Sequence, residues 1–577
     1  MAEDPPRGPL TDTSPEAGEE SERSSKRRPR APPSSNRQPF DPFARVVAPV
    51  ELQDPLKRRK WRLPPPNSDR PGPYIVELNA RHIGGLPGAE TDFLELHERE
   101  VAVPGRGSGR AKFDRTPMRI GKSYYRCELK DAEWRRLIAA DEAKPTKQRA
   151  IYRLWPDFPV EACTDRSAMT VKSDAALKSF SAAGEDITWA VVDSGVQADH
   201  PHFGTTDTEE ERQAHLLLGD AVVGLHRNFA DVFEQRGSLL VNLGTLPSPD
   251  WDQGLDRASR DALIERHRKL ALDDPYGHGT HVAGIIAGQA PTREGANVRV
   301  LEHQYTISRD GQKVASNFGE RVLRPKAELR GMAPLCKLIS LRVLDHNGKG
   351  RSSQVIEALE YLREKINDNP KLMRVHGVNL SIGYPFDPEM FACGQSPLCT
   401  TVNRLVQEGM VVVAAAGNTG FGSAASSTGT AQVGLSNTIN DPGNADLAIT
   451  VGSTHRDAPH TYGVSYFSSK GPTADGRLKP DLVAPGERIT SCAAGAKLKQ
   501  ANVPADGACN YVDDTGTSMA APHVSGAVAA FLSIRREFIG RPLEVKRIFL
   551  ESATPLGRER YFEGHGLVDL MRAIQSV

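Results

Sequence analysis

Three short stretches hold the residue types that nucleophilic attack by a serine requires. Val191-Val-Asp-Ser-Gly195 ends an apolar run on a carboxylate, and Gly277-His-Gly-Thr-His-Val-Ala-Gly284 sets an imidazole before small residues. Gly516-Thr-Ser-Met-Ala-Ala-Pro-His-Val-Ser-Gly526 sets a hydroxyl before a similar run. A serine hydroxyl is a poor nucleophile unless a base takes its proton, and an imidazole base needs a buried carboxylate to fix its tautomer. Asp193, His278 and Ser518 satisfy both needs if rigid elements bring them together. Each also has a plainer meaning: Asp-Ser-Gly is a common turn, and a serine before a helix is commonly its N-cap. His278 and His281 are three residues apart, as a metal pair on a helix could be. No Glu-x-x-His arrangement accompanies them, and the neighbouring glycine and alanine suit close backbone packing, so no metal ligands are expected.

The positioning elements follow from the hydrophobic pattern. Short apolar runs at 187–192, 338–344, 378–382, 411–416 and 448–451 alternate with helical spacing at 353–365 and 400–408. Strands apolar on both faces and separated by helices predict an α/β fold, a parallel sheet covered by helices on both sides. A carboxylate just after such a strand sits at the carboxyl edge of the sheet, where ligands bind in open α/β folds. Ser518 falls at a helix entrance, where free N–H groups and positive potential suit a developing oxyanion, and Pro522 is expected within the first turn.

The chain has 577 residues, with 73 Lys and Arg against 73 Asp and Glu. A formal charge of zero argues against nucleic acid as a partner. No apolar run of membrane-spanning length is evident and the first residues lack a signal-peptide pattern, so no membrane partner and a cytoplasmic location are expected, with non-classical export left open. Seven cysteines (127, 163, 336, 393, 399, 492 and 509) form no CxxC or zinc-spaced cluster. Local bridges 393–399 and 492–509, or reduced thiols throughout, both remain open.

Residues 1–70 hold 14 of the 42 prolines with no apolar periodicity, and read as a disordered tail. The tail starts acidic and turns basic, with knots at Lys26-Arg27-Arg28 and Lys57-Arg58-Arg59-Lys60 that suit localisation, nucleic-acid or cleavage signals, or plain solvation. Residues 71–163 read as a small α+β domain, with strands at 74–78, 124–129 and 150–154 and a helix at 131–142 whose N-cap is Asp131. Residues 164–577 form the larger unit, expanded near 204–272 and 291–330.

Together the motifs resemble the subtilisin-like (subtilase, S8-type) serine peptidases, in which Asp, His and Ser occur in this chain order. Further segments carry the resemblance: Gly331-Met-Ala-Pro334, Val343-Leu-Asp-His-Asn-Gly-Lys-Gly350, Val378-Asn-Leu-Ser-Ile-Gly383, Val412-Val-Ala-Ala-Ala-Gly-Asn418, Phe467-Ser-Ser-Lys-Gly-Pro472, Lys479-Pro-Asp-Leu-Val-Ala-Pro-Gly486 and Gly564-His-Gly-Leu-Val-Asp569.

The resemblance implies a serine endopeptidase acting through an acyl-enzyme on Ser518, with His278 as base, Asp193 as its orienter and Asn418 as oxyanion donor. It implies a polypeptide substrate extended between Gly348, Lys349 and Gly350 on one side and Ser381, Ile382 and Gly383 on the other. Asp441, near the pocket, would favour a basic substrate residue or be only a turn residue. No cofactor is implied for catalysis; structural calcium is possible, with ligands that cannot be carried across the insertions. The insertions would rim the cleft or be surface decoration. The 71–163 domain would be a prodomain, an intramolecular inhibitor or chaperone cleaved from the chain within 155–170, against the rival of a permanent accessory domain. Other outcomes on this fold are an exopeptidase, a peptide acyl-transferase or a catalytically silent binding scaffold.

Overall fold

The computed structural model describes residues 63–101, 115–157, 159–160, 168–231, 233–236, 239–242, 255–291, 297–307, 313–321, 329–369, 372–386, 392–426, 429–503 and 508–577, with Leu52, Pro55 and Arg58. The chain divides into two units between Ala44 and Arg45, and the first, with its Lys26-Arg27-Arg28 knot, lies outside the described residues. Cys163 and, within the interval expected to be cleaved, residues 158 and 161–167 also lie outside them.

Among the described residues, seven parallel strands form the central sheet in the order Leu482–Glu487, Ile449–His455, Val411–Ala415, Gly377–Leu380, Thr188–Asp193, Lys337–Arg342 and Arg227–Asn228. Successive side chains of a strand point to opposite faces, and here both faces are buried. Trp189 and Val191 pack on the side of the helices His278–Ile286 and Thr517–Ile534. Ala190 and Val192 pack on the side of Ser352–Tyr361 and Pro397–Gln407. Double burial is why these strands read as continuous apolar runs rather than alternating ones.

The helix Thr517–Ile534 is apolar enough over its 18 residues to pass for a membrane span, yet 89% of that window is buried inside the fold. It is a core helix, hydrophobic all round. Its Thr, Ser, Gly and His residues conceal this in the sequence.

The N-terminal domain is a four-stranded antiparallel sheet ordered Met118–Ile120, Tyr124–Leu129, Gly72–Leu78 and Ile151–Pro156, with helices Gly85–Glu100 and Asp131–Glu142. The sequence reading missed the first helix, whose Gly-Leu-Pro-Gly start looks like a turn. Its core residues Phe93, Leu129 and Leu154 belong to one continuous cluster with Val355, Leu359, Val402 and Leu405 of the larger unit. The two sheets are therefore joined through the helices Ser352–Tyr361 and Pro397–Gln407.

Two expectations are corrected in this region. The end of the supposed tail is packed: Leu52 and Arg58 are buried, and Arg58 forks onto the Asp131 carboxylate through Nη2–Oδ1 at 2.7 Å and Nη1–Oδ2 at 3.1 Å. A fixed carboxylate thus removes one cation of the second basic knot from solvent. Asp131 is the first helical residue and Lys130 the N-cap; the carboxylate is occupied by Arg58 and by the Asn67 N–H at 2.8 Å.

Near 204–272 lie a helix Glu209–Ala214 capped by Thr208, a hairpin of Phe233–Arg236 with Leu239–Asn242, and a helix Arg257–Ala271 capped by Asp256. The 291–330 insertion forms a hairpin of Val298–Ile307 and Lys313–Arg321. Its first strand pairs in parallel with Cys509–Asp514, the strand that leads to Ser518. The six described cysteines are buried and unbridged.

Candidate active site

Asp193 is the last residue of a central strand and is fully buried. Its Oδ1 accepts from the Ser194 N–H at 2.7 Å and lies 2.7 Å from His278 Nδ1. An ionised carboxylate only accepts, so Nδ1 must carry the proton, and Nε2 is the ring nitrogen that can act as a base.

His278 is the first residue of its helix, following Gly277 at φ +90°. A Cβ on Gly277 would stand 2.1 Å from the Ala494 carbonyl oxygen, so both the turn and the close approach require glycine. The turn is fixed by a second buried carboxylate, absent from the sequence reading. Asp274 Oδ1 accepts from Gly277 N–H at 2.7 Å and from the Ser194 hydroxyl at 2.8 Å. Its Oδ2 accepts from Thr280 N–H at 2.8 Å and Thr280 Oγ1 at 2.7 Å. Ser194 in turn accepts from Gly279 N–H at 2.9 Å. Asp274 therefore ties the residue after Asp193 to the first turn of the His278 helix. Asp274 stands three residues before the N-cap, Gly277, so no capping pattern marks it in the sequence.

His281 Nε2 faces the Val512 carbonyl oxygen at 3.0 Å, so the imidazoles of His278 and His281 serve different partners. Among the described residues no three His, Cys, Asp or Glu side chains form a group able to hold a metal ion.

Ser518 is the second residue of Thr517–Ile534, which packs along the His278 helix; a Cβ on Gly526 would lie 2.9 Å from the Ile286 carbonyl oxygen. The helix starts early enough that Pro522 is its sixth residue, not in the first turn as expected. Proline has no N–H for the carbonyl four residues back, which is that of Ser518. The hydroxyl of Ser381 supplies the missing donor at 2.5 Å. Ser381 accepts from Asn379 Nδ2 at 2.8 Å, and Asn379 Oδ1 accepts from Ser525 at 2.8 Å. A buried relay thus pins the Ser518 backbone to the strand Gly377–Leu380.

Asn418 follows the strand Val411–Ala415. Its Oδ1 accepts from Thr517 N–H at 2.9 Å and Thr517 Oγ1 at 3.0 Å. With the oxygen held by the residue before Ser518, the amide NH₂ is left to donate on its other side.

Of the two expected substrate edges, one is already in use. Gly350 and Arg351 pair antiparallel with Val160 and Pro159, the chain leaving the N-terminal domain. Gly348, at φ +69°, packs against Tyr276: a Cβ there would lie 2.4 Å from the ring. On the other side, Ser381 and Ile382 are buried, and a Cβ on Gly383 would stand 2.7 Å from the Asp441 carbonyl oxygen. Asp441 is fully buried and its carboxylate accepts from Asn444 Nδ2 at 2.8 Å; burial raises its pKa. It does not present an exposed charge to a basic substrate residue.

A sheet whose carboxyl edge bears a buried Asp–His pair, with a serine at the N-terminus of the adjoining helix, is the arrangement by which α/β serine peptidases are recognised. The subtilase family model matches residues 184–567, and the chain belongs to that family. Pyrolysin of Pyrococcus furiosus is 29% identical over 339 residues, which cover 52% of this chain and 21% of pyrolysin. Serine protease AprX of Bacillus subtilis is 28% identical over 54% of this chain and 59% of its own length. Subtilisin E of Bacillus subtilis is 29% identical over 64% of this chain and 74% of its own.

Proposed function

We propose that the chain is a serine endopeptidase made as a self-processing zymogen. The observation that carries the reading is the Asp193–His278 contact set beside the helix that presents Ser518. His278 Nε2 takes the Ser518 proton as Oγ attacks the scissile carbonyl, and Asp193 stabilises the imidazolium that forms. The oxyanion receives hydrogen bonds from the Ser518 N–H and from Asn418 Nδ2. His278 then protonates the departing amine, and the acyl-enzyme is hydrolysed by water activated at the same nitrogen. No metal or other cofactor enters the proposed chemistry: the three side chains supply base, orientation and nucleophile between them.

The substrate lies extended along Gly348, Lys349 and Gly350, with Ser381, Ile382 and Gly383 opposite. Pairing of Pro159–Val160 with Gly350–Arg351 supports this placement, because a polypeptide backbone already sits there. It supports equally the role of the N-terminal domain as intramolecular inhibitor and folding template, with cleavage in 155–170.

Fluorophosphonate labelling of wild type against Ser518→Ala tests the enzyme reading, and an unlabelled wild type sinks it in favour of a silent scaffold. Intact mass tests the zymogen: an active chain that stays full length with Ser518 intact rules it out. Products from a long unstructured peptide separate internal cleavage from end-trimming, and an added amine acceptor reveals acyl transfer.

A further inference from the structure

The helix Ser352–Tyr361 begins directly after the edge residues Gly350–Arg351, and its N-terminus is filled by a carboxylate from the other domain. Asp157 is fully buried; its Oδ1 accepts from the Ser352 hydroxyl at 3.0 Å and from the Ser353 N–H at 2.8 Å, and its Oδ2 accepts from the Ser353 hydroxyl. Three residues on, Val160 pairs with Gly350. One continuous segment is therefore held at two points, by its backbone on the edge and by an acidic side chain on the adjoining helix.

We propose that this helix N-terminus is a subsite for acidic polypeptide substrates, reading an Asp or Glu three residues before the substrate residue that faces Gly350. The proposal rests on the peptidase reading above, with the N-terminal domain displaced after processing. Ser352 and Ser353 belong to the peptidase unit and stay when the domain leaves, so the same donors face whatever strand next occupies the edge. Once Asp157 departs, the first-turn N–H groups and the helix dipole favour another anion there, and Lys349 and Arg351 add positive charge along the same edge. Arg126, whose Nε lies 3.5 Å from Asp157 Oδ2, belongs to the N-terminal domain and departs with it. The remaining hold is two hydroxyls and one N–H, which sets the expected preference at about tenfold, the scale of one charge-assisted set of hydrogen bonds.

The test uses the purified full chain, allowed to process, and peptides copying residues 153–170 with Asp, Glu, Asn or Ala at the position of Asp157. The expected result is kcat/KM about tenfold higher for Asp than for Asn or Ala, carried by KM, with Glu between them. In Ser352→Ala/Ser353→Ala the Asp-to-Ala ratio falls towards one. Equal turnover of all four peptides by an enzyme that labels at Ser518 overturns the subsite and leaves the peptidase reading standing. So does a labelled chain that cuts none of them, since the Asp peptide carries the whole segment. Failure of both labelling and cleavage overturns the peptidase reading, and the subsite with it.

Discussion

Two helix N-termini adjoin the two proposed substrate edges, and they are built differently. The Thr517–Ile534 helix is packed on all sides by apolar and small residues, and its start is surrounded by neutral donors and acceptors: Thr517, Asn418, Ser381 and Asn379. The Ser352–Tyr361 helix starts on a carboxylate and has ionisable groups along its buried side, Glu357 and Glu360. A site that must stabilise charge only while a bond is breaking keeps preorganised dipoles and no resident anion. A site that must hold a chain in place can be filled by a permanent one. Both exploit the same orphan N–H groups of a helix's first turn, and the surroundings decide whether the anion there is transient or resident.

Removing the proposed nucleophile at the first terminus should have the largest effect. Ser518→Ala is expected to abolish peptide hydrolysis, a loss on the order of 10⁶ in kcat on the scale established with subtilisin. Burst kinetics with an active-site titrant checks it, and residual acylation would mean another residue attacks. Asn418→Ala should lower kcat by about 10²–10³ with little change in KM, again a scale drawn from subtilisin. A change confined to KM would place Asn418 outside the transition state.

Asp274→Asn keeps the volume but turns one acceptor into a donor facing Thr280 N–H. Misalignment of the Asp193–His278 pair should lower kcat roughly 10–100-fold while KM stays near wild type. Unchanged kcat would show that the second carboxylate only closes a turn.

At the other terminus, Asp157→Asn should leave the chemistry intact and loosen the N-terminal domain by about 1–3 kcal/mol, the cost of an impaired buried hydrogen-bond set. Faster hydrogen exchange at Gly350 and Arg351 would register it; unchanged exchange would mean that the shared core alone holds the domain.

The remaining effect concerns pH and leaves the chemistry untouched. Burial raises the pKa of Glu357 to about 8, with Arg126 opposing and Asp231 adding to the shift. The ordinary value is 4.5, so unfolding or exposure releases a proton across the interval between. The neutral form's stabilisation is complete below about 4.5 and is lost as pH rises towards 8. Thermal midpoints should fall over that range, and Glu357→Gln should flatten the fall. Parallel curves for the two proteins would remove Glu357 from the account.

The candidate site was legible in the sequence wherever chemistry fixes residue type at short range. Asp193, His278, Ser518 and Asn418 sit at element boundaries that the apolar runs announce, and the structure places them at those boundaries. The sheet was legible for the same reason, since doubly buried strands leave unbroken apolar runs. Contacts between segments distant in sequence were not legible: Ser381 with the Ser518 carbonyl, Asp157 with Ser352 and Ser353, Arg58 with Asp131. A serine or aspartate in such a partnership looks like any surface residue until the fold supplies its partner. Pro522 shows the limit best. Its position signalled a helix start, but only the structure reveals that the carbonyl it leaves without a donor is that of Ser518.

The pairing of Val160 with Gly350 also has a consequence for stoichiometry. While the chain is continuous, the segment on the edge is a tethered occupant whose local concentration is set by the tether, of millimolar order or above. Dilution cannot remove it, and on the proposed reading an outside polypeptide competes against that fixed value whatever the amount of protein present. One broken peptide bond turns the occupant into a separate molecule, and from then on its hold depends on total concentration. The same contact would then weaken in a dilute solution and persist in a crowded one.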